Sequence, residues 1–305
     1  MASGSAATTL DFSFWRPSVR NRSGIWSQGP RRATLSYGAF VAVSPTTSRS
    51  LTALVIIALV ALAATPPPAH ARVHAGSARA APMHVLFIGN SYTRSNNLPY
   101  MVRRIAETIP DTAPFRVTAI ANPGWDLERH WSTAETRALL EDGGFTHVVL
   151  QGHSLTALRH RDEFESFARL FDGAIDRIGA RTVLYETWAR RPGSGAYRRE
   201  AIALSPVDMQ AQVTECYIQL ARSLGADLAP AGRAFLVAQS RLPDADLFRS
   251  DGAHPSPYGT FLAAAVLYAT IAHDDPRRSP WRPHPMPRRL ATDLRDIAYR
   301  AVTRP

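Results

Sequence analysis

Past Ala81, short apolar runs alternate with stretches in which apolar residues recur every three to four positions. Runs of the first kind suit buried strands, and the longer period suits helices with one apolar face. Met83 to Ile88 reads as the first strand, and Leu98, Met101, Val102, Ile105 and Ile109 form the buried stripe of a following helix. Phe115 to Ala121 and His147 to Gln151 read as further strands, with a helix between them around His130 to Leu140. Phe164, Phe167, Ala168, Phe171, Ile175 and Ile178 make another stripe, followed by the strand Thr182 to Glu186. After a Gly-, Pro- and Ser-containing stretch from Arg190 to Pro206, the pattern predicts a helix around Cys216, a short segment near Asp227, a helix over Ala231 to Gln239 and a final long helix. Strands separated by helices predict an α/β fold: one three-layer domain with a central parallel sheet.

Upstream, Leu51 to Ala64 is an apolar run preceded by Arg49 and followed by Thr65-Pro66-Pro67-Pro68 and Ala69-His70-Ala71. A basic flank, a short apolar stretch and an A-x-A site are the parts of a secretory signal peptide, which predicts export with cleavage after Ala71. The run is short of the ~20 residues that span a bilayer, so a retained membrane anchor is not the expectation. Residues 1 to about 42 form a polar leader, read as a misassigned translation start or an extension. The chain is expected to divide into leader and signal peptide (1–71), linker (72–82), a folded domain (83–273) and a Pro/Arg-rich tail (274–305) that wraps the surface before a short helix from Leu290 to Val302.

The formal net charge is +10, but every basic residue is an arginine and they are scattered. Arg16, Arg20, Arg22, Arg31, Arg32 and Arg49 stand against only Asp11 before Leu51, so no nucleic-acid partner is expected of the folded part. Cys216 is the only cysteine, which excludes an intramolecular disulfide and a cysteine-based metal site. It shares a helical stripe with Val213, Tyr217, Leu220 and Leu224 and reads as a buried structural thiol. His84, His130, His147, His153 and His160 lack a ligand spacing, so no metal site is expected. Most of these histidines are placed at the surface or at sheet edges, with His153 lining a cleft.

The first strand ends in Gly89-Asn90-Ser91, which sets a hydroxyl at the carboxyl edge of the sheet, where ligands bind in open α/β folds. A serine hydroxyl becomes an effective nucleophile only beside a base that is itself held by a carboxylate. Ser250-Asp251-Gly252-Ala253-His254-Pro255-Ser256-Pro257 supplies both. Ser256 is suited to cap the following helix with Pro257 at its first position, leaving Asp251 and His254 in the preceding loop. There Asp251 would fix the imidazole tautomer, and His254 would act as general base and then general acid toward Ser91.

Gly89-Asn90-Ser91 together with Asp251-x-x-His254 resembles the first and last sequence blocks of the SGNH (GDSL-like) hydrolases, over roughly Met83 to Ala272. Asn90 stands where that family usually has aspartate. The resemblance implies a flavodoxin-like sheet and a serine esterase acting through an acyl-enzyme without a cofactor. Asn122-Pro123-Gly124-Trp125 is similar to the family's glycine block. The third block departs: Val149-Leu150-Gln151-Gly152 is similar to the Leu-Gln variant of bacterial branches and to the Gln-Gly motif of sialate O-acetylesterases. By that analogy the oxyanion hole comprises the amides of Ser91 and Gly124 and the side chain of Gln151. Asn90, Trp125, His153 and Trp188 are expected to contact substrate, a small-molecule or glycan ester.

Three other readings compete. Gly152-His153-Ser154-Leu155-Thr156 resembles a lipase nucleophile elbow, but threonine replaces its last glycine and Asp251 with His254 is too compact a pair for that fold. An acyltransferase would use the same triad and place acyl groups on an added acceptor. A non-catalytic glycan-binding protein would keep the cleft and show no turnover.

Overall fold

The computed structural model describes residues 81–304. The expected leader, signal peptide and most of the linker lie outside the described residues. Strands β1 (Met83–Gly89), β2 (Phe115–Ala121), β3 (His147–Leu150), β4 (Arg181–Tyr185) and β5 (Asp227–Ala229) form a five-stranded parallel sheet in the order β2-β1-β3-β4-β5. This is the flavodoxin-like order, whose direction of winding reverses between β1 and β3. The reversal opens a crevice beyond the carboxyl ends of those two strands.

The helices are α1 (Ser91–Arg94), α2 (Leu98–Glu107), α3 (Leu127–Ser132), α4 (Ala134–Glu141), α5 (Thr156–Arg159) and α6 (Arg161–Arg177). After β4 come α7 (Ala196–Arg199), α8 (Pro206–Leu224), α9 (Ala231–Arg241), α10 (Pro257–Ala272) and α11 (Arg288–Thr303). Successive strand side chains point to opposite faces. Val85, Phe87, Val149, Val183 and Tyr185 accordingly pack with α2, α9, α10 and α11, whereas Leu86, Ile88, Val148, Leu150 and Leu184 pack with α3, α4, α6 and α8. No helix among the described residues is long and apolar enough to cross a membrane.

Two expectations need correction. The helix foreseen around His130 to Leu140 is two helices, because Thr133 is extended (φ −90°, ψ 122°) and ends α3 before α4 begins. The tail does not lie on the surface beyond a domain boundary at 273. Every residue of α10 from Gly259 to Ile271 is buried, and a helix apolar all round needs cover on every side. Ala291, Leu294, Ile297 and Ala298 of α11 supply part of that cover within the same core as α2 and α9. Cys216 is buried as expected, and burial pushes its thiol up to about 11.

Candidate active site

The turn after β1 is braced from below. Asn90 caps α1, its Oδ1 accepting the Tyr92 N–H at 3.1 Å, while its Nδ2 donates to the Trp125 carbonyl at 2.9 Å. Only an amide both accepts and donates in this way, which accounts for asparagine where an acid is usual. Gln151, at the end of β3, completes the brace: its Oε1 accepts from the Asn90 N–H at 3.0 Å and the Thr93 hydroxyl at 2.9 Å. Its Nε2 donates to Asn90 Oδ1 at 3.1 Å and to the Gly152 carbonyl. A β-carbon on Gly89 would collide with Thr93 and Gln151, so glycine is required where the strand meets this network. Gln151 is fully buried, and both N–H groups of its amide have partners. It therefore supports the turn and is not an oxyanion donor, a correction to the analogy. Asn90 is only 2% exposed, and its bonds likewise run inward.

His254 arrives from the loop before α10. Ser256 caps that helix, accepting from the Tyr258 and Gly259 amides, with Pro257 at the first position. The Asp251 carboxylate accepts from the amides of Ala253 (2.8 Å) and His254 (2.9 Å), then from the His254 ring, with Nδ1 at 2.6 Å. A carboxylate only accepts, so Nδ1 carries the proton and Nε2 is free to accept from Ser91 Oγ, 2.9 Å away. Burial pushes the Asp251 carboxyl up, but these backbone and ring donors outweigh it and hold the pKa below the ordinary value. The loop is itself fixed: Trp188 Nε1 donates to the Ala253 carbonyl (3.0 Å), the Arg191 amide to Gly252 (2.8 Å) and Arg199 to the Asp251 carbonyl (2.7 Å).

Ser91, His254, Gly124 and His153 line one cleft of about 560 Å³. Gly124 takes a positive φ of 76°, a conformation natural to glycine, and its amide donates to no protein acceptor among the described residues. As the first residue of α1, Ser91 has no intrahelical acceptor for its amide either. His153 is half-buried, and burial and then the Arg190 charge lower its pKa, favouring the neutral ring. Trp125 is half-buried beside this edge, with the Arg129 guanidinium 4.8 Å from its ring centre. Trp188 is not a substrate contact: it is 0% exposed and stacked between Tyr92 (4.6 Å) and Phe235 (4.1 Å). Its column ends on His254, which meets the Tyr92 ring edge-on at 5.5 Å. His130, expected near the surface, is also fully buried and bonds through Nε2 to the Gly89 carbonyl at 2.8 Å.

Ser154 lines the same cleft, but its hydroxyl accepts from Arg190 Nη2 at 2.9 Å and bonds no imidazole. The lipase-like elbow lacks its base. Tyr92, Arg190 and Glu200, all cleft residues, escaped the sequence reading. The available signal was that Arg190 follows β4 closely, on the ligand-binding edge of the sheet.

A scan against protein-family models and a search of the curated proteins return no match. Among solved structures, a protein from Slackia heliotrinireducens described as an SGNH hydrolase is 31% identical, with a TM-score of 0.55 over 62% of this chain and 99% of that one. The chain belongs to the SGNH hydrolases. A DUF4886 family protein from Bacteroides uniformis shares the fold at 18% identity and a TM-score of 0.64, over 73% of this chain and 96% of that one. A catalytic mutant of Axe2, an acetylxylan esterase from Geobacillus stearothermophilus, shares it at 15% identity and a TM-score of 0.50, over 64% of this chain and 96% of that one.

Proposed function

We propose that this SGNH hydrolase is a serine esterase in which Ser91, His254 and Asp251 form the catalytic triad. The carrying observation is the continuous chain from Ser91 Oγ through the imidazole to Asp251, with contacts of 2.9 and 2.6 Å. Ser91 Oγ attacks the ester carbonyl carbon as His254 Nε2 takes its proton. The amides of Ser91 and Gly124 face the oxyanion of the tetrahedral intermediate. Collapse breaks the bond to the alcohol oxygen, which receives the proton from His254, and leaves an acyl-serine. Water, deprotonated by the same imidazole, then releases the acid and restores Ser91.

Polar side chains and small apolar ones share the cleft lining, which suits a short acyl group and a hydroxylated alcohol better than a long acyl chain. O-acetyl groups on glycans are the substrates this favours. The signal-peptide pattern supports export to the cell envelope or beyond; sequencing the amino terminus of protein recovered outside the cell tests this, with Arg72 expected first. For the activity, purified protein hydrolyses p-nitrophenyl acetate, and a fluorophosphonate labels Ser91, as read by mass spectrometry. Turnover that survives Ser91→Ala, or a label found on Ser154, overturns the assignment.

A further inference from the structure

The leaving alcohol must depart beside His254, because that ring returns its proton. The same cleft lining carries an ion pair that the triad does not use and that His254 reaches through Tyr92. Arg190 is 2% exposed and spends its guanidinium on three partners: Glu200 Oε2 (2.6 Å), the Tyr92 hydroxyl (2.9 Å) and Ser154 Oγ (2.9 Å). A buried, triply bonded arginine holds its carboxylate partner in one place. Glu200 itself is 27% exposed, lines the cleft and receives no other hydrogen bond at its carboxylate among the described residues. One carboxylate oxygen is pinned, and the other has no protein donor.

The segment that carries Glu200 is docked on the loop that carries the base. Arg199, its neighbour in the chain, donates to the Asp251 carbonyl. Ala201, the next residue, takes a positive φ of 48°, unfavourable for a residue with a β-carbon, and the turn closes through Ile202 N–H to the Tyr197 carbonyl at 2.8 Å. From His254 the contacts run through the Tyr92 ring to Arg190 and then to Glu200.

We infer that Glu200 accepts a hydrogen bond from a free hydroxyl on the alcohol portion of the ester, which makes partly acylated sugars and related polyols the preferred substrates. This rests on the esterase reading and deepens it. A site built to bond a hydroxyl discriminates against an analogue that lacks one, because its polar group is then left unpaired.

The test compares two acetates of matched ring size: a monoacetylated methyl glucoside and cyclohexyl acetate, which has no free hydroxyl. Wild type prefers the sugar ester. Glu200→Gln, which keeps an acceptor for Arg190, lowers kcat/KM for the sugar ester by roughly ten- to a hundred-fold more than for cyclohexyl acetate, chiefly through KM. Equal losses on both esters, or no loss on the sugar ester, overturn the inference. Should wild type hydrolyse neither ester, the esterase reading falls and binding decides the subsite. The monoacetylated glucoside is then titrated into Ser91→Ala and into Ser91→Ala/Glu200→Gln and followed by saturation-transfer NMR. Binding that weakens with Glu200→Gln upholds the subsite; absent or unchanged binding overturns it.

Discussion

The cleft has two walls of different construction. Under the nucleophile, Asn90, Thr93 and Gln151 form an uncharged amide and hydroxyl network that is buried and reaches the cleft only at Asn90. Elsewhere in the lining, Arg190 and Glu200 form a charged pair that is buried at one end and wet at the other. The first network fixes a turn, and the Gln151 amide at its centre has both N–H groups and its oxygen engaged. The second keeps an acceptor open toward the cleft, so position and selectivity reside in separate networks.

The largest effects are expected at the reacting groups, which both walls serve. Ser91→Ala lowers kcat roughly a million-fold, and Asp251→Asn roughly ten-thousand-fold by favouring the wrong tautomer of His254, both read by steady-state kinetics. Asp251 also links folding to acid. Its pKa is depressed in the folded chain, so its contribution to stability is present above the ordinary aspartate value and is lost as pH falls through the folded one. Asp251→Asn therefore flattens the fall in stability on acidification below about pH 4, measured by urea melts at stepped pH.

The walls themselves should fail differently. Arg190→Met leaves Tyr92, Ser154 and half of an ion pair without a partner and costs about 2–4 kcal/mol, less than for a fully buried pair because Glu200 stays wet. Gln151→Ala strips acceptors from the Asn90 amide and the Thr93 hydroxyl and costs about 1–3 kcal/mol in a chemical melt. If Gln151→Ala lowered kcat a hundred-fold at unchanged stability, the glutamine would be an oxyanion donor after all and the contrast between the walls would collapse. The smallest change is Ala201→Gly, which relieves the positive φ but loosens the unfolded chain, for a net shift under ~1 kcal/mol.

The two walls also differ in how far they can be read from sequence. Strand periodicity located the first four strands nearly to their ends and gave the three-residue β5 only as a short segment near Asp227, while Ser256-Pro257 announced the start of α10 because capping is a local interaction. Ser91 and His254 lie 163 positions apart, yet each sits in a short motif with its own local logic. Gln151 was noticed and misplaced, since a motif does not tell which way a strand-end side chain turns. Trp188 was misjudged for the same reason: the aromatic column that buries it joins residues from four distant segments. Arg190 and Glu200 were missed altogether, because the partners of Arg190 lie 98, 36 and 10 positions away and no local pattern links them.

The burial of α10 bears on where the chain tolerates truncation. The helix behind His254 remains greasy on one flank until α11, its last covering layer, has docked. A chain cut before Arg288 would carry every residue of the proposed triad and still offer a sticky surface. Loss of the last helix should therefore show first as aggregation.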